Sequence, residues 1–315
     1  EERAKADAEA ARKREAERLA QARAAETASP PPTFNMALDL NGPAMHRSIL
    51  PTWLMLVGLS WVSLIWGALI SAPFGVGLGI FASLLGGLIA VPLWGTLFGF
   101  LGMGAARNST LREMGFAKLE PDHPLRSVTE TFADKLSIPT PRVGTIKVHN
   151  AFAMGLSHEN ATIAIGQPLI DNLTPSEVAA VIGHELGHVV SGDMRAMMLM
   201  RTFQNATVWY GVTQGVKQIA RWVICWAAEL AILAFSRQRE FFADAIGAAL
   251  AGKEAMIGAL RKLEAAPALT SDETTHARFM VRGKVLSTHP STADRIAALE
   301  AETYIRKLPR RSTGD

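Results

Sequence analysis

The chain has 315 residues, 49% of them hydrophobic, with 32 Lys+Arg against 29 Asp+Glu and a formal net charge of +3. So small a charge, with no basic stripe interleaved with aromatics, argues against a nucleic-acid partner. The single cysteine, Cys225, rules out an intrachain disulfide and suits a reducing compartment.

The first residue is Glu1 rather than Met, which points to a trimmed or partial N-terminus. Residues 1–29 begin with a run to Glu26 made almost wholly of Ala, Glu, Lys, Arg and Gln, in which Leu19 is the sole large apolar side chain. That composition favours helix but supplies no heptad seam. The expectation is a solvated or partly disordered segment, available to a protein partner. Ser29-Pro30-Pro31-Pro32 ends it, and residues 30–47 read as a linker.

From Ser48 to Ala106 there is no charged residue. A bilayer span needs about 20 apolar residues, so this run predicts two transmembrane helices, Thr52 to Ile70 and Val76 to Phe100, turning at Ser71–Gly75. Gly75, Gly79, Gly95 and Gly99 allow close helix contact. Arg47 precedes the pair, Arg107, Arg112 and Lys118 follow it, and the turn carries no cation, so both flanks are expected in the cytoplasm.

Residues 107–315 form the remaining domain. Val128, Phe132 and Leu136 recur every four residues and predict an amphipathic helix over 125–136, stopped by Ile138-Pro139-Thr140-Pro141. Val143 to His149 and Ala161 to Ile165 read as two short strands joined through Asn150–Gly155 and a polar turn at Ser157–Asn160. A helix follows, with Thr174 as N-cap, Pro175 at its first position and Glu177 as capping-box partner. The C-terminal third is helical again apart from a loop at 265–275. The fold expected is mainly α with a small β-sheet.

The capped helix carries His184-Glu185-Leu186-Gly187-His188. Residues four apart share a helical face, so both imidazoles can meet one metal ion, with Glu185 beside it to take a proton from bound water. A third ligand should lie downstream. An extension ending in His at 194 is excluded by Ser191 and Met194. Glu229, Glu240, Asp244, His276 and His289 remain. Glu240 is the choice, because Asp244 follows one turn later and can accept a hydrogen bond from a ligand imidazole.

Four motifs in order, His184-Glu185-x-x-His188 with Gly192-Asp193, Phe235-Ser236-Arg237-x-Arg239-Glu240-x-x-Ala243-Asp244, Thr288-His289-Pro290 with Arg295-Ile296, and the earlier Asn150-Ala151-Phe152-Ala153, resemble the HtpX family of membrane zinc metalloproteases. The likeness runs from about Ser48 to Ile305. It implies a zincin-like domain on a transmembrane hairpin, with one zinc held by His184, His188 and Glu240. It further implies Glu185 as general base, His289 near the oxyanion, and Asn150 and Ala151 at the substrate cleft. An unpaired strand edge there would hold an extended peptide by main-chain hydrogen bonds. The implied role is cleavage of misfolded or damaged membrane proteins at the cytoplasmic face of the bacterial inner membrane. The rival readings are a non-catalytic zinc-binding chaperone or adaptor, and a scaffold working through residues 1–29. The family expects a second hydrophobic hairpin before the glutamate ligand; here residues 196–235 are interrupted by Arg201, Lys217, Arg221 and Glu229, and read as a short or partly embedded one.

Overall fold

The computed structural model describes residues 77–308 except 197, 200–201, 204–238 and 266–289, together with positions 17, 21, 53, 54, 56–58 and 61; within 77–308 side chains are described from Leu93 onward, 106 and 265 excepted. The expected first membrane helix beyond residue 61, the 71–75 turn, most of the 196–235 hairpin, the 266–275 part of the loop, and His289 lie outside the described residues.

Helix α1 (Gly77–Glu113) enters from the apolar run and continues past Arg107. Among the described residues no helix is long and apolar enough to cross a membrane, so the expected hairpin is not displayed by them. Gly95 and Gly99 do receive a neighbour: a Cβ on Gly95 would stand 2.7 Å from the Phe203 ring, and one on Gly99 would stand 3.2 Å from the Phe203 Cα. Trp53 Nε1 donates to Thr96 Oγ1 at 2.8 Å on the same helix.

Beyond α1 the chain forms β1 (Ala117–Lys118), α2 (Pro124–Lys135), β2 (Arg142–Ile146), β3 (Ala151–Met154) and β4 (Thr162–Gly166). The sheet order is β1-β2-β4-β3, with β2 and β4 parallel and both outer strands antiparallel. The sheet is thus four-stranded, where periodicity indicated two strands. β3 forms within the segment read as a connection, through pairing of Ala151 with Ile165 and Met154 with Thr162. β4 is buried along its whole length. Its alternation explains why: Ile163 and Ile165 face the main core with Phe132, Leu186 and Ile246, while Ala164 joins Met103, Leu111, Met198 and Phe203 beneath α1.

The short helix α3 (Gln167–Asn172) leads to α4 (Pro175–Val190), which carries the histidine motif. Its N-terminus is closed as the sequence predicts. Thr174 N donates to Glu177 Oε2 at 2.8 Å, Glu177 N donates to Thr174 Oγ1 at 3.4 Å, and Lys262 Nζ adds a 2.6 Å ion pair to the same carboxylate. Helix α5 is described over 239–251 and is followed by α6 (Lys253–Ala265) and α7 (Thr292–Glu300).

Helices α4 and α5 approach through glycine. A Cβ on Gly183 would meet Gly247 Cα at 3.0 Å, and one on Gly187 would meet Ala243 Cα at 2.9 Å. On Gly247 it would meet Ala180 O at 2.8 Å, Met256 Sδ at 2.9 Å and His184 N at 3.1 Å. This approach sets Glu240, on α5, against the histidine face of α4. Gly247→Ala is therefore expected to force the helices apart, costing about 1–3 kcal/mol as an overpacked core does. Thermal unfolding of the metal-free chain measures the loss. An unshifted midpoint would refute the role of this contact.

Candidate metal centre

His184 and His188 lie one turn apart on α4, and Glu240 faces them from α5. The Nε2 atoms are 3.2 Å apart, and each lies 3.6 Å from a separate Glu240 oxygen, Oε2 for His184 and Oε1 for His188. One ligand atom from each residue falls within 4.8 Å of the others. Donors held about 2.0–2.1 Å from a tetrahedral ion lie about 3.3–3.4 Å apart, so two imidazoles and a carboxylate at these separations fit a zinc-sized cation. His184 and Glu240 are buried and His188 is half-buried, so a cation here would be largely sheltered from water.

Both Nδ1 atoms are held from behind. His184 Nδ1 lies 2.9 Å from Asp244 Oδ1, and Asp244 is fully buried. Arg295 of α7 closes on the same carboxylate through Nε at 2.7 Å and Nη2 at 2.5 Å, and its Nη2 lies 3.7 Å from Glu240 Oε2. His188 Nδ1 lies 3.3 Å from Asp193 Oδ2, which Arg239 Nε approaches to 2.7 Å. Gly192 makes the Asp193 contact feasible: its φ of +71° turns the chain back at the end of α4. An imidazole whose Nδ1 donates to a carboxylate presents Nε2 as a lone pair, the tautomer a metal requires.

The charges follow this geometry. Burial opposes protonation of His188, but the Asp193 hydrogen bond and the charges of Glu240, Glu185 and Asp193 outweigh it and push its pKa up to about 9. Burial also works against the Asp244 carboxylate, yet the Arg295 guanidinium and the His184 contact hold it below the usual range. Asp193 is lowered in the same way, against its burial, by His188 and Arg239. The pocket is thus electronegative enough to hold a proton on His188, and a metal cation would displace that proton on binding.

Of the residues singled out in the sequence, His184, Glu185, His188, Glu240 and Asp244 come together here. Glu185 is buried beside them, and its charge acts on both His188 and Arg295. Asn150 and Ala151 stand at the start of β3, the outer strand packed against α4. Asn150 Oδ1 accepts from Ala151 N at 2.8 Å, and Gly166 N donates to Asn150 O at 2.7 Å. Asp193, Arg239 and Arg295 stood inside the quoted motifs without a role; only the fold reveals their contacts with the histidine partners.

Two imidazoles, a carboxylate and an intervening buried glutamate are the residue types that a mononuclear metallopeptidase uses. The description of Peptidase family M48 matches residues 120–303. Over 199 residues the chain is 38% identical to Protease HtpX of Thioalkalivibrio sulfidiphilus, covering 54% of this chain and 68% of that protein. Over 271 residues it is 33% identical to a Protease HtpX homolog of Variovorax paradoxus, covering 71% and 93%. The crystal structure of S. mikatae Ste24p aligns with a TM-score of 0.45 and 18% identity over 75% of this chain and 61% of that one, a likeness too loose to argue from. The chain belongs to peptidase family M48 as an HtpX-type metalloprotease that hydrolyses peptide bonds.

Proposed function

We propose that the chain is a membrane-anchored, zinc-dependent endopeptidase acting at the cytoplasmic face on misfolded or damaged membrane proteins. The observation that carries the catalytic part is the convergence of His184, His188 and Glu240 within 4.8 Å, with both imidazole Nδ1 atoms backed by buried carboxylates. A zinc ion held by these three residues would supply the Lewis acidity that polarises a scissile carbonyl and lowers the pKa of water. Glu185 takes the proton from the attacking water and returns it to the leaving amine. The outer edge of β3, starting at Ala151, holds the substrate backbone extended beside α4.

His289 is assigned to the oxyanion on its resemblance to the family motif. The assignment draws support from the residues that follow in sequence: Pro290 and Ser291 lead directly into α7, whose Arg295 touches Asp244 and approaches Glu240. The anchoring rests on the uncharged run and on Leu93, Leu97 and Leu101, which follow one another at four-residue spacing on α1 and are 63%, 55% and 67% exposed. A stripe of that kind has no reason to face water, and the flanking cations favour the cytoplasmic orientation.

The test is cleavage of an unfolded protein by the full chain in detergent, before and after metal removal with a chelator. Loss of cleavage on chelation and its return with stoichiometric zinc are expected. Cleavage that persists in the stripped protein would sink the proposal.

A further inference from the structure

The ends of α1, β1, α2 and β2 surround a cavity of about 360 Å³ that shares no residue with the metal centre. Arg107, Lys118, Arg126 and Arg142 line it, one from each element, and Glu159 is the one acid among the described lining residues. Each guanidinium is held on one side. Arg107 Nη2 donates to Thr162 Oγ1 at 2.9 Å, Arg126 Nε pairs with Glu130 at 2.9 Å, and Arg142 lies 5.0 Å from the Phe116 ring centroid. Yet Arg107 Nε is buried and meets no acceptor among the described residues. Burial first, and then the like charge of Arg142, lower the Arg107 pKa. Cations gathered around a cavity with one carboxylate among them are the arrangement that a phosphate oxygen completes.

The position of the cavity selects the source of that phosphate. Arg107 is the first charged residue after the uncharged run, and the exposed Leu101 precedes it by six residues on the same helix. At about 1.5 Å rise per residue this is about 9 Å. The headgroup layer occupies about 5–8 Å on each side of the hydrocarbon. If Leu101 lies at the hydrocarbon edge, the Arg107 backbone stands just beyond that layer, within reach of the lipid phosphates for an arginine side chain. We propose that this cavity binds the phosphate of an anionic phospholipid headgroup, fixing the peptidase domain against the inner surface of the bilayer. The lipid source rests on the membrane reading given above; phosphate binding itself does not.

The experiment uses the full chain in detergent, titrated with dioctanoyl phosphatidylglycerol, dioctanoyl phosphatidylcholine and glycerol 3-phosphate, with bound ligand counted by native mass spectrometry. Phosphatidylglycerol is expected to bind at least tenfold tighter than phosphatidylcholine. Lys118→Gln and Arg142→Gln, both at exposed positions, are each expected to weaken it about fivefold, leaving metal content unchanged. Arg107→Gln should do the same, but it also loses the Thr162 contact, so the exposed pair decides the matter if that variant does not fold. Equal binding of the two lipids, or a Lys118→Gln/Arg142→Gln double variant that binds as wild type does, would overturn the site. Glycerol 3-phosphate binding as tightly as the lipid would overturn the lipid source and assign a soluble phosphate ester. Alkaline extraction of the full chain from vesicles tests the membrane reading separately, so the two failures are distinguishable.

Discussion

Glu185→Gln is expected to leave the metal bound and to cut turnover of an unfolded test protein by a factor of about 10²–10⁴, the usual worth of a positioned general base. Three donors other than Glu185 converge at the centre, so its carboxylate is not needed to hold the ion. Glutamine keeps the volume of a buried side chain and can still accept a hydrogen bond from water, but it cannot take the proton. Removing one negative charge also eases the electrostatic load that raises His188, so metal affinity should change little. The measurement is kcat with zinc content per chain determined on the same sample. A variant that holds zinc and retains wild-type kcat would remove Glu185 from the reaction. A variant that loses its zinc would make it a fourth donor instead.

The parts of this centre that were legible in the sequence are those whose geometry is local. Thr174, Pro175 and Glu177 announce the start of α4 because capping is a relation between residues three apart, and the folded helix has the same bonds. His184 and His188 share a face for the same reason, and so do Glu240 and Asp244. What brings one pair to the other is not local. Gly183, Gly187 and Gly247 lower helix propensity, yet their missing side chains let two backbones approach to the distance the site requires. Strand β3 was hidden by its sequence, Ala-Phe-Ala-Met, which lacks β-branched residues; its conformation comes from pairing with the wholly buried β4. Arg239 and Arg295 look like surface charges in sequence. Each is drawn inward by a carboxylate that itself backs a histidine, a dependence that exists only after the helices have met.

The Arg295–Asp244–His184 chain carries the second large expectation. In Asp244→Ala the Arg295 guanidinium, held charged by Asp244 against its own burial, loses both of its short contacts to that carboxylate. Breaking a buried pair from one side typically costs about 3–5 kcal/mol, because the remaining charge stays without compensation. At the same time His184 loses the acceptor that fixes its Nδ1 proton, and removal of such a partner typically weakens metal binding by about 10–100-fold. Asp244→Asn separates the two effects. The amide oxygen can still accept from His184 Nδ1, so metal affinity should fall less than in the alanine variant. The lost negative charge should lower stability in both variants. Chemical denaturation of the stripped proteins reads the first effect, and competition with a zinc chelator reads the second. If Asp244→Ala folds and binds zinc as tightly as wild type, the imidazole is oriented by packing within α4 and α5, and Asp244 serves Arg295 alone.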